Sequence, residues 1–157
     1  MMPTSAQMLA AMQLALNEHV VPQVQDQWAQ SALRSIDAIL NHLQARVPVE
    51  GPMLHADTTE LVALLRDGQA RLGLPGDAIA AFAAEADALL ATYAPVEALQ
   101  ALNHRGRALL EDLLIACQAR KGEAVADAVH ADLRAYLLRH ADRESAFFFP
   151  VYVGRPV

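Results

Sequence analysis

Apolar residues recur at alternating spacings of three and four through most of this chain, which is the pattern of amphipathic α-helices. The clearest case is residues 96–118, where one stripe consists of Leu99, Leu102, Gly106, Leu109, Leu113 and Ala116. At about 1.5 Å per residue, a helix of this length would extend roughly 35 Å. The pattern predicts the buried spine of a helical domain, in which Gly106 either lets another helix approach closely or loosens the spine locally.

Signals for helix ends divide the rest of the chain. Thr4 and Gln7 have the spacing of a capping box and predict the start of a first helix, which ends or kinks at Pro22. Asp57 and Glu60 have the same spacing and predict the start of a third helix, after a connection at residues 47–56 that contains His55. The six predicted helices cover residues 4–22, 26–46, 57–72, 77–93, 96–118 and 123 to at least 140.

Each predicted helix has an apolar face that requires a partner. Trp28, in the first turn of the second helix, is expected to bury its indole at the junction with the first helix. Tyr93 is expected at the end of the inner stripe of the fourth helix. The inner positions of the first two helices are Leu9, Met12, Leu16 and Val20, followed by Ala29, Leu33, Ile36, Ile39, Leu40 and Leu43.

Composition favours the same fold class. Hydrophobic residues make up 54% of the chain and aromatic residues 5%, so the apolar residues are mainly Ala and Leu, which favour helix over strand. A chain of 157 residues fits one domain. We therefore predict an all-α fold: a single helical domain over residues 1–157, with a core at 4–145 packed as an irregular bundle of about six helices. The C-terminal tail, residues 146–157, is expected to be aromatic and non-helical.

The charge distribution and the lengths of the apolar segments argue against a nucleic-acid partner, a membrane span and a secretory signal. The formal net charge is −6 and the cations are scattered, which argues against nucleic acid as a partner. No apolar run is long enough to predict a membrane span, and residues 1–17 lack the basic region and cleavage site of a secretory signal. The single cysteine, Cys117, is expected to be a small buried apolar residue. Together these features predict a cytoplasmic protein.

His140 and Glu144 are a histidine–carboxylate pair in phase with the apolar stripe of the sixth helix. Such a pair could supply two metal ligands, or a base with its orienting acid. The chain has no Glu-x-x-His spacing of the di-metal bundles, no Gly-rich phosphate loop and no Gly-x-Ser-x-Gly elbow. We therefore predict no catalytic residue, no metal and no cofactor, and keep His140 and Glu144 as a possible polar site. Other charged residues that repeat at sevens, Glu97, His104 and Glu111, are interpreted as solvent-facing.

The C-terminal tail contains half of the aromatic residues of the chain. Its Pro and Gly residues oppose a long helix, and burying its aromatic side chains would be strongly favourable. The tail is expected either to fold back along its own bundle or to contact a second copy or another protein. The interface residues predicted on the second alternative are Phe147, Phe148, Phe149, Val151, Tyr152 and Val153.

Four segments between residues 17 and 65 resemble a known protein family. They are NEHVVP (17–22), ALRSIDAILNHL (32–43), VEGPML (49–54) and TELVALL (59–65). Their succession is similar to that of small helical bacterial proteins encoded beside aminoglycoside-phosphotransferase-like kinases and acyl-CoA dehydrogenases in catabolic gene clusters. The resemblance implies an accessory role, such as support of a kinase acting on hydroxyacyl-CoA substrates.

Three functions are compatible with these patterns. The first is a non-catalytic accessory or interaction protein, expected to be a homodimer with a possible further protein partner. The second is a helical bundle that binds an acyl or aromatic small molecule, with a pocket lined by Met8, Met12, Trp28, Phe82 and Tyr93. The third is a metal-dependent enzyme that uses His140 and Glu144.

Overall fold

A computed structural model of the chain describes residues 2–145. This range contains six α-helices and no β-strand, which confirms the all-α prediction. The helices are α1 (Ser5–Ala15), α2 (Gln27–Arg46), α3 (Glu50–Leu72), α4 (Asp77–Leu90), α5 (Val96–Ala119) and α6 (Ala124–Ser145). The non-helical character predicted for the C-terminal tail falls outside the described residues.

The chain forms two compact units. Among the described residues, the first consists of residues 2–49 with Glu144 and Ser145, and the second of Glu50–Arg143. The single helical domain expected over residues 1–157 stays a prediction.

The helices of the first unit begin, and the chain kinks, where the capping and helix-breaking residues of the sequence predict. The Thr4 hydroxyl accepts from the Gln7 amide at 3.2 Å and the Gln7 side chain accepts from the Thr4 amide at 2.8 Å, which completes the capping box. Beyond α1, a π-helical turn (Leu16–Val20) leads into a 3-10 turn (Val21–Gln23) at Pro22. Asp26 caps α2 by accepting from the Ala29 amide at 2.8 Å. The predicted start of α1, kink at Pro22 and start of α2 are therefore confirmed.

Helices α1 and α2 are joined by polar side chains. Gln13 Nε2 donates to Asp37 Oδ1 at 2.7 Å and to Asn41 Oδ1 at 2.9 Å, and Gln44 Nε2 donates back to Gln13 Oε1 at 2.6 Å. Leu40 is the only buried residue among residues 2–49. This helix pair is therefore held by amide and carboxylate groups, with little apolar surface between the helices.

The expectation that Trp28, Ile36, Ile39 and Leu43 face inward is wrong. Trp28 is 84% exposed and Ile39 is 58% exposed, and Met12 and Val20 of the first helical segment are exposed as well. The reason is that α1 packs on the polar side of α2, through Asp37 and its neighbours. Within residues 2–145, one continuous surface of α2 consequently stays exposed. We call it the α2 apolar face: Trp28, Ala32, Ile36, Ile39, Leu43 and Val47.

The core of the second unit lies among α3, α4, α5 and α6. Leu61 and Leu65 of α3, Leu102 and Leu113 of α5, and Leu133 of α6 are almost completely buried. Gly106 allows a close approach of α5 to α3 and α4, because a Cβ there would lie 2.6 Å from both Leu61 Cδ2 and Phe82 Cζ. This confirms Gly106 as a contact glycine in the spine.

Two stripes in the second unit differ from the predicted ones. In α5, Leu110 is fully buried, whereas Leu109 and Ala116 are only half-buried. Cys117 is buried, as predicted. Helix α4 ends at Leu90, so Tyr93 lies beyond the helix and is fully exposed rather than buried at the end of its stripe.

The predicted start of the third helix at Asp57 is wrong. Helix α3 begins at Glu50 and includes Pro52 and His55. Proline is tolerated here because the first-turn amides of a helix have no partner within the helix. Asp57 consequently lies in the second turn of α3, where its side chain is directed into the core and buried.

Candidate functional site

Polar residues in phase with the apolar stripes of three helices of the second unit converge on one another. On α3, Asp57 is in phase with Leu61 and Leu65, and on α6, His140 follows Leu133 and Tyr136 at spacings of three and four. On α5, Asn103 is buried one turn before Gly106. Helical periodicity therefore directs these polar side chains to the same layer of the core.

The Asp57 carboxylate is the centre of this layer. Its Oδ2 accepts from Asn103 Nδ2 at 2.8 Å and from the Tyr136 hydroxyl at 3.1 Å, and Arg107 Nη2 lies 3.4 Å away. Its Oδ1 accepts from Arg143 Nη2 at 2.6 Å. Asp57 itself is only 4% exposed. We call Asp57, Asn103, Arg107, Tyr136, His140 and Arg143 the Asp57 network.

His140 joins the network through Nδ1, which lies 3.3 Å from both Asp57 Oδ1 and Arg107 Nη2. A protonated Nδ1 donates to the carboxylate, whereas an unprotonated Nδ1 accepts from the guanidinium. The imidazole also stacks on Tyr136, with ring centroids 6.3 Å apart. The ring is thereby fixed by groups from α3, α5 and α6.

A second layer of charges extends the network towards solvent. Glu60 accepts from Arg139 and, at 3.0 Å, from Arg143 Nη1. Arg107 Nε donates to Asn103 Oδ1 at 2.8 Å, so that the asparagine amide uses both its oxygen and its nitrogen. Arg143 Nε is buried and has no acceptor among the described residues. Four arginine and histidine side chains thus surround two carboxylates.

The electrostatics keep both carboxylates ionised. Burial raises the pKa of Asp57, but the hydrogen bonds from Asn103 and Tyr136 and the nearby His140 and Arg107 outweigh it, so the pKa is lower than usual. Glu60 behaves in the same way: a small desolvation effect is outweighed by Arg139 and Arg143, and its pKa is lowered. Burial and the Asp57 charge raise the pKa of the Tyr136 hydroxyl.

The positions of Asp57 and Thr58 suit a structural role better than a chemical one. Both Asp57 oxygens are occupied by donors, and the Thr58 hydroxyl beside them is completely buried. A nucleophile or base must reach the substrate atom on which it acts, and neither side chain can do so here. Within residues 2–145, no group of three or more His, Cys, Asp or Glu side chains is arranged to hold a metal ion.

The structure gives the two sequence-predicted polar residues different partners. His140 contacts Asp57, whereas Glu144 Oε2 pairs with Arg46 Nη1 of α2 at 3.2 Å. The predicted interface residues Phe147, Phe148, Phe149, Val151, Tyr152 and Val153 lie outside the described residues. Glu97, His104 and Glu111 are exposed, as expected for solvent-facing positions.

Sequence reasoning missed most members of the Asp57 network. The capping-box spacing assigns Asp57 to a helix cap, and the sequence pattern predicts no role for Asn103, Arg107 or Arg143. One signal was available: Asp57 and Asn103, like His140, are polar residues in phase with an apolar stripe. The arginines gave no such signal, because they reach the site with long side chains from the edges of their stripes.

A shallow cavity of about 320 Å³ lies between α4 and α5. It is lined by Ala78, Ala81, Phe82, Glu85, Arg105, Ala108 and Leu109. Of the five pocket residues that the sequence suggested, Phe82 alone lines this cavity. Met8, Met12, Trp28 and Tyr93 are all exposed.

Comparisons with protein-family models, with curated proteins and with solved structures find no match for this chain. Among residues 2–145, no helix is both long and apolar enough to cross a membrane.

Proposed function

We propose that this chain is a non-catalytic helical protein that acts by binding another protein chain. The supporting observation is the α2 apolar face, which exposes large side chains from Trp28 to Val47 along the length of one helix. A continuous apolar surface of this kind is typical of protein interaction sites. Its central aliphatic residues, Ile36 and Ile39, belong to a helix whose other side is already used by α1.

The Asp57 network supports the non-catalytic part of the proposal. Its central carboxylate, on α3, is buried and accepts from donors on α5 and α6, so that it links three helices of the second unit. An accessory role is also what the resemblance of residues 17–65 implies. On that resemblance, a kinase or an acyl-CoA enzyme of a catabolic cluster is the kind of partner to test first.

The proposal can be tested by photo-crosslinking in living cells. A benzophenone amino acid is introduced at Ile39, on the α2 apolar face, and in a matched control at Arg34, which is exposed on the opposite side of α2. We expect protein adducts from position 39 and few from position 34, with mass spectrometry identifying the partner. Absence of adducts at position 39, or equal labelling at both positions, would contradict the proposal.

A second candidate function, binding of a small apolar molecule, is favoured by the cavity between α4 and α5. Its volume lies at the lower end of the range for ligand pockets, and Phe82 and Leu109 give it apolar walls. Native mass spectrometry of the purified protein tests this function. A retained organic ligand that disappears in Ala108→Trp, which fills the cavity, would support it, and a bare polypeptide mass would contradict it.

A further inference from the structure

We infer that the partner of the α2 apolar face is the same face of a second copy, packed antiparallel about a twofold axis between Ile36 and Ile39. This inference rests on the proposed function and specifies its partner. It concerns the first unit alone, because every residue of the face belongs to α2 or to Val47, directly after it.

The spacing of the face is the first argument. Its residues follow one another at intervals of four, four, three, four and four, a series that reads the same in both directions. An antiparallel copy consequently places each member of the face opposite another member: Trp28 opposite Val47, Ala32 opposite Leu43 and Ile36 opposite Ile39. A twofold interface requires such a self-complementary surface, and an unrelated partner does not.

The sizes of the facing residues are also complementary. Trp28, the largest side chain of the face, would lie opposite the smaller Val47, and Ala32 would leave room for Leu43. Ile36 and Ile39 would fill the centre around the axis. Alternation of large and small side chains across two helices allows them to interdigitate without voids.

The exposed area is sufficient for a specific dimer. A whole tryptophan side chain offers about 250 Å², so Trp28 at 84% exposure contributes roughly 200 Å². The partly exposed Ile36, Ile39, Leu43 and Val47 bring the face to roughly 500 Å² per chain, or about 1,000 Å² for the pair. This total reaches the roughly 1,000 Å² that a biological interface should bury.

Charge favours the antiparallel orientation. The dipoles of the two helices would oppose each other, which is favourable for antiparallel neighbours and unfavourable for parallel ones.

The oligomeric state of the purified full chain provides the first test, measured by light scattering and native mass spectrometry. We expect a dimer. Ile39→Glu should weaken it by at least about a hundredfold in dissociation constant, because each twofold dimer would bury two unpaired carboxylates. The matched control Arg34→Glu introduces the same residue on the opposite side of α2 and should leave the dimer unchanged.

Disulfide trapping tests the orientation, in a Cys117→Ala background. An equimolar mixture of Trp28→Cys and Val47→Cys chains should form a mixed disulfide between positions 28 and 47. Preferential pairing of Trp28→Cys with itself would indicate a parallel dimer and overturn the inference. Arg34→Cys is the non-interface control.

Two further outcomes separate this inference from the proposed function. A monomeric purified chain that still gives adducts at position 39 in cells would leave the proposed function intact and overturn the second copy as partner. Deletion of residues 146–157 should not change the dimer. If it abolishes the dimer while Ile39→Glu does not, the C-terminal tail forms the interface and the inference is wrong.

Discussion

The Tyr136 hydroxyl donates a 3.1 Å hydrogen bond to Asp57 Oδ2, and so links α6 to α3 inside the core of the second unit. Both residues are almost completely buried. The same carboxylate accepts from Asn103 on α5, so one ionised group fixes the relative position of three helices. A buried charge is tolerated only where it is paired and hydrogen-bonded, and here both oxygens of the carboxylate accept hydrogen bonds.

We predict that Asp57→Asn destabilises the protein by about 3 kcal/mol, because it removes the charge that compensates Arg107 and Arg143 and places an amide against their donors. The free energy of unfolding in urea measures the effect. Asp67→Asn is the matched control: Asp67 is exposed and pairs with Arg71 one turn along the same helix, and its replacement should cost less than about 0.5 kcal/mol. Equal losses of unfolding free energy in the two variants would contradict the conclusion that Asp57 holds α3, α5 and α6 together.

The lowered pKa of Asp57 predicts how the free energy of unfolding decreases at acid pH. The unfolded chain binds a proton at Asp57 near its ordinary value of 3.8, whereas the folded chain binds it only at lower pH. Stability from this group is therefore complete above about pH 5 and is lost as the pH falls through 3.8 towards the folded pKa. Urea unfolding at stepped pH should show a steeper loss for the wild type than for Asp57→Asn, and parallel curves would contradict this prediction.

The free energy of unfolding at alkaline pH depends on Tyr136, whose pKa is raised by burial and by the Asp57 charge. Above about pH 10 the unfolded chain releases the phenolic proton while the folded chain retains it, so stability falls as the pH rises. We expect Tyr136→Phe to be less stable than the wild type at pH 7, by about 1 kcal/mol for the lost hydrogen bond. The difference should shrink above pH 10, because Phe has no proton to lose. Tyr93→Phe, at a fully exposed position, should have no effect at either pH.

The sequence predicted the helices of this fold more accurately than their partners. Caps and breakers such as Thr4, Pro22 and Asp26 are local, because a side chain bonds to an amide only a few residues away. The start of α3 was missed because Pro52, read as a breaker, lies in the first turn, where its missing amide is harmless. Asp57 was then taken for a cap, although its phase with Leu61 also fits a core position.

The packing partner of each apolar stripe depends on contacts between residues far apart in the sequence. The spacing of apolar residues along one helix does not reveal that partner. The apolar residues of α2 were correctly placed on one face, but Ile36 and Ile39 are exposed because Gln13 of α1 bonds to the opposite, polar side. In the Asp57 network, only His140 had been recognised as a polar residue in a core stripe. Its partner is 83 residues away on another helix, whereas the expected partner, Glu144, is four residues away.

Gly106 provides a test of how closely α5 packs against α3 and α4. A methyl group at this position would meet Leu61 and Phe82 at 2.6 Å, so both side chains would have to move. Overpacking of this kind costs about 1–3 kcal/mol, and the better helix propensity of alanine offsets up to about 1 kcal/mol of it. We expect a net loss of about 1–2 kcal/mol for Gly106→Ala in thermal or urea unfolding. Gly51→Ala is the control, because the nearest side-chain atom, of Val96, is at an ordinary 3.8 Å. A stabilised Gly106→Ala protein would contradict the close approach.

Cys117 is expected to be chemically inert in the folded protein. Cys117 is 2% exposed, and burial raises the pKa of its thiol, although Arg120 and Arg71 act in the opposite direction. Because the thiolate is the reactive form, both the exclusion of solvent and the raised pKa slow attack on a disulfide reagent. We expect labelling with an aromatic disulfide reagent at pH 8 to be at least about a hundredfold slower in buffer than in urea, and to follow the population of opened chains. Since Gly106→Ala loosens the same core, it should speed the labelling in buffer, whereas Gly51→Ala should not. Rapid labelling of the native wild type would show that the C-terminal end of α5 is accessible to the reagent. It would contradict the packing described for this helix.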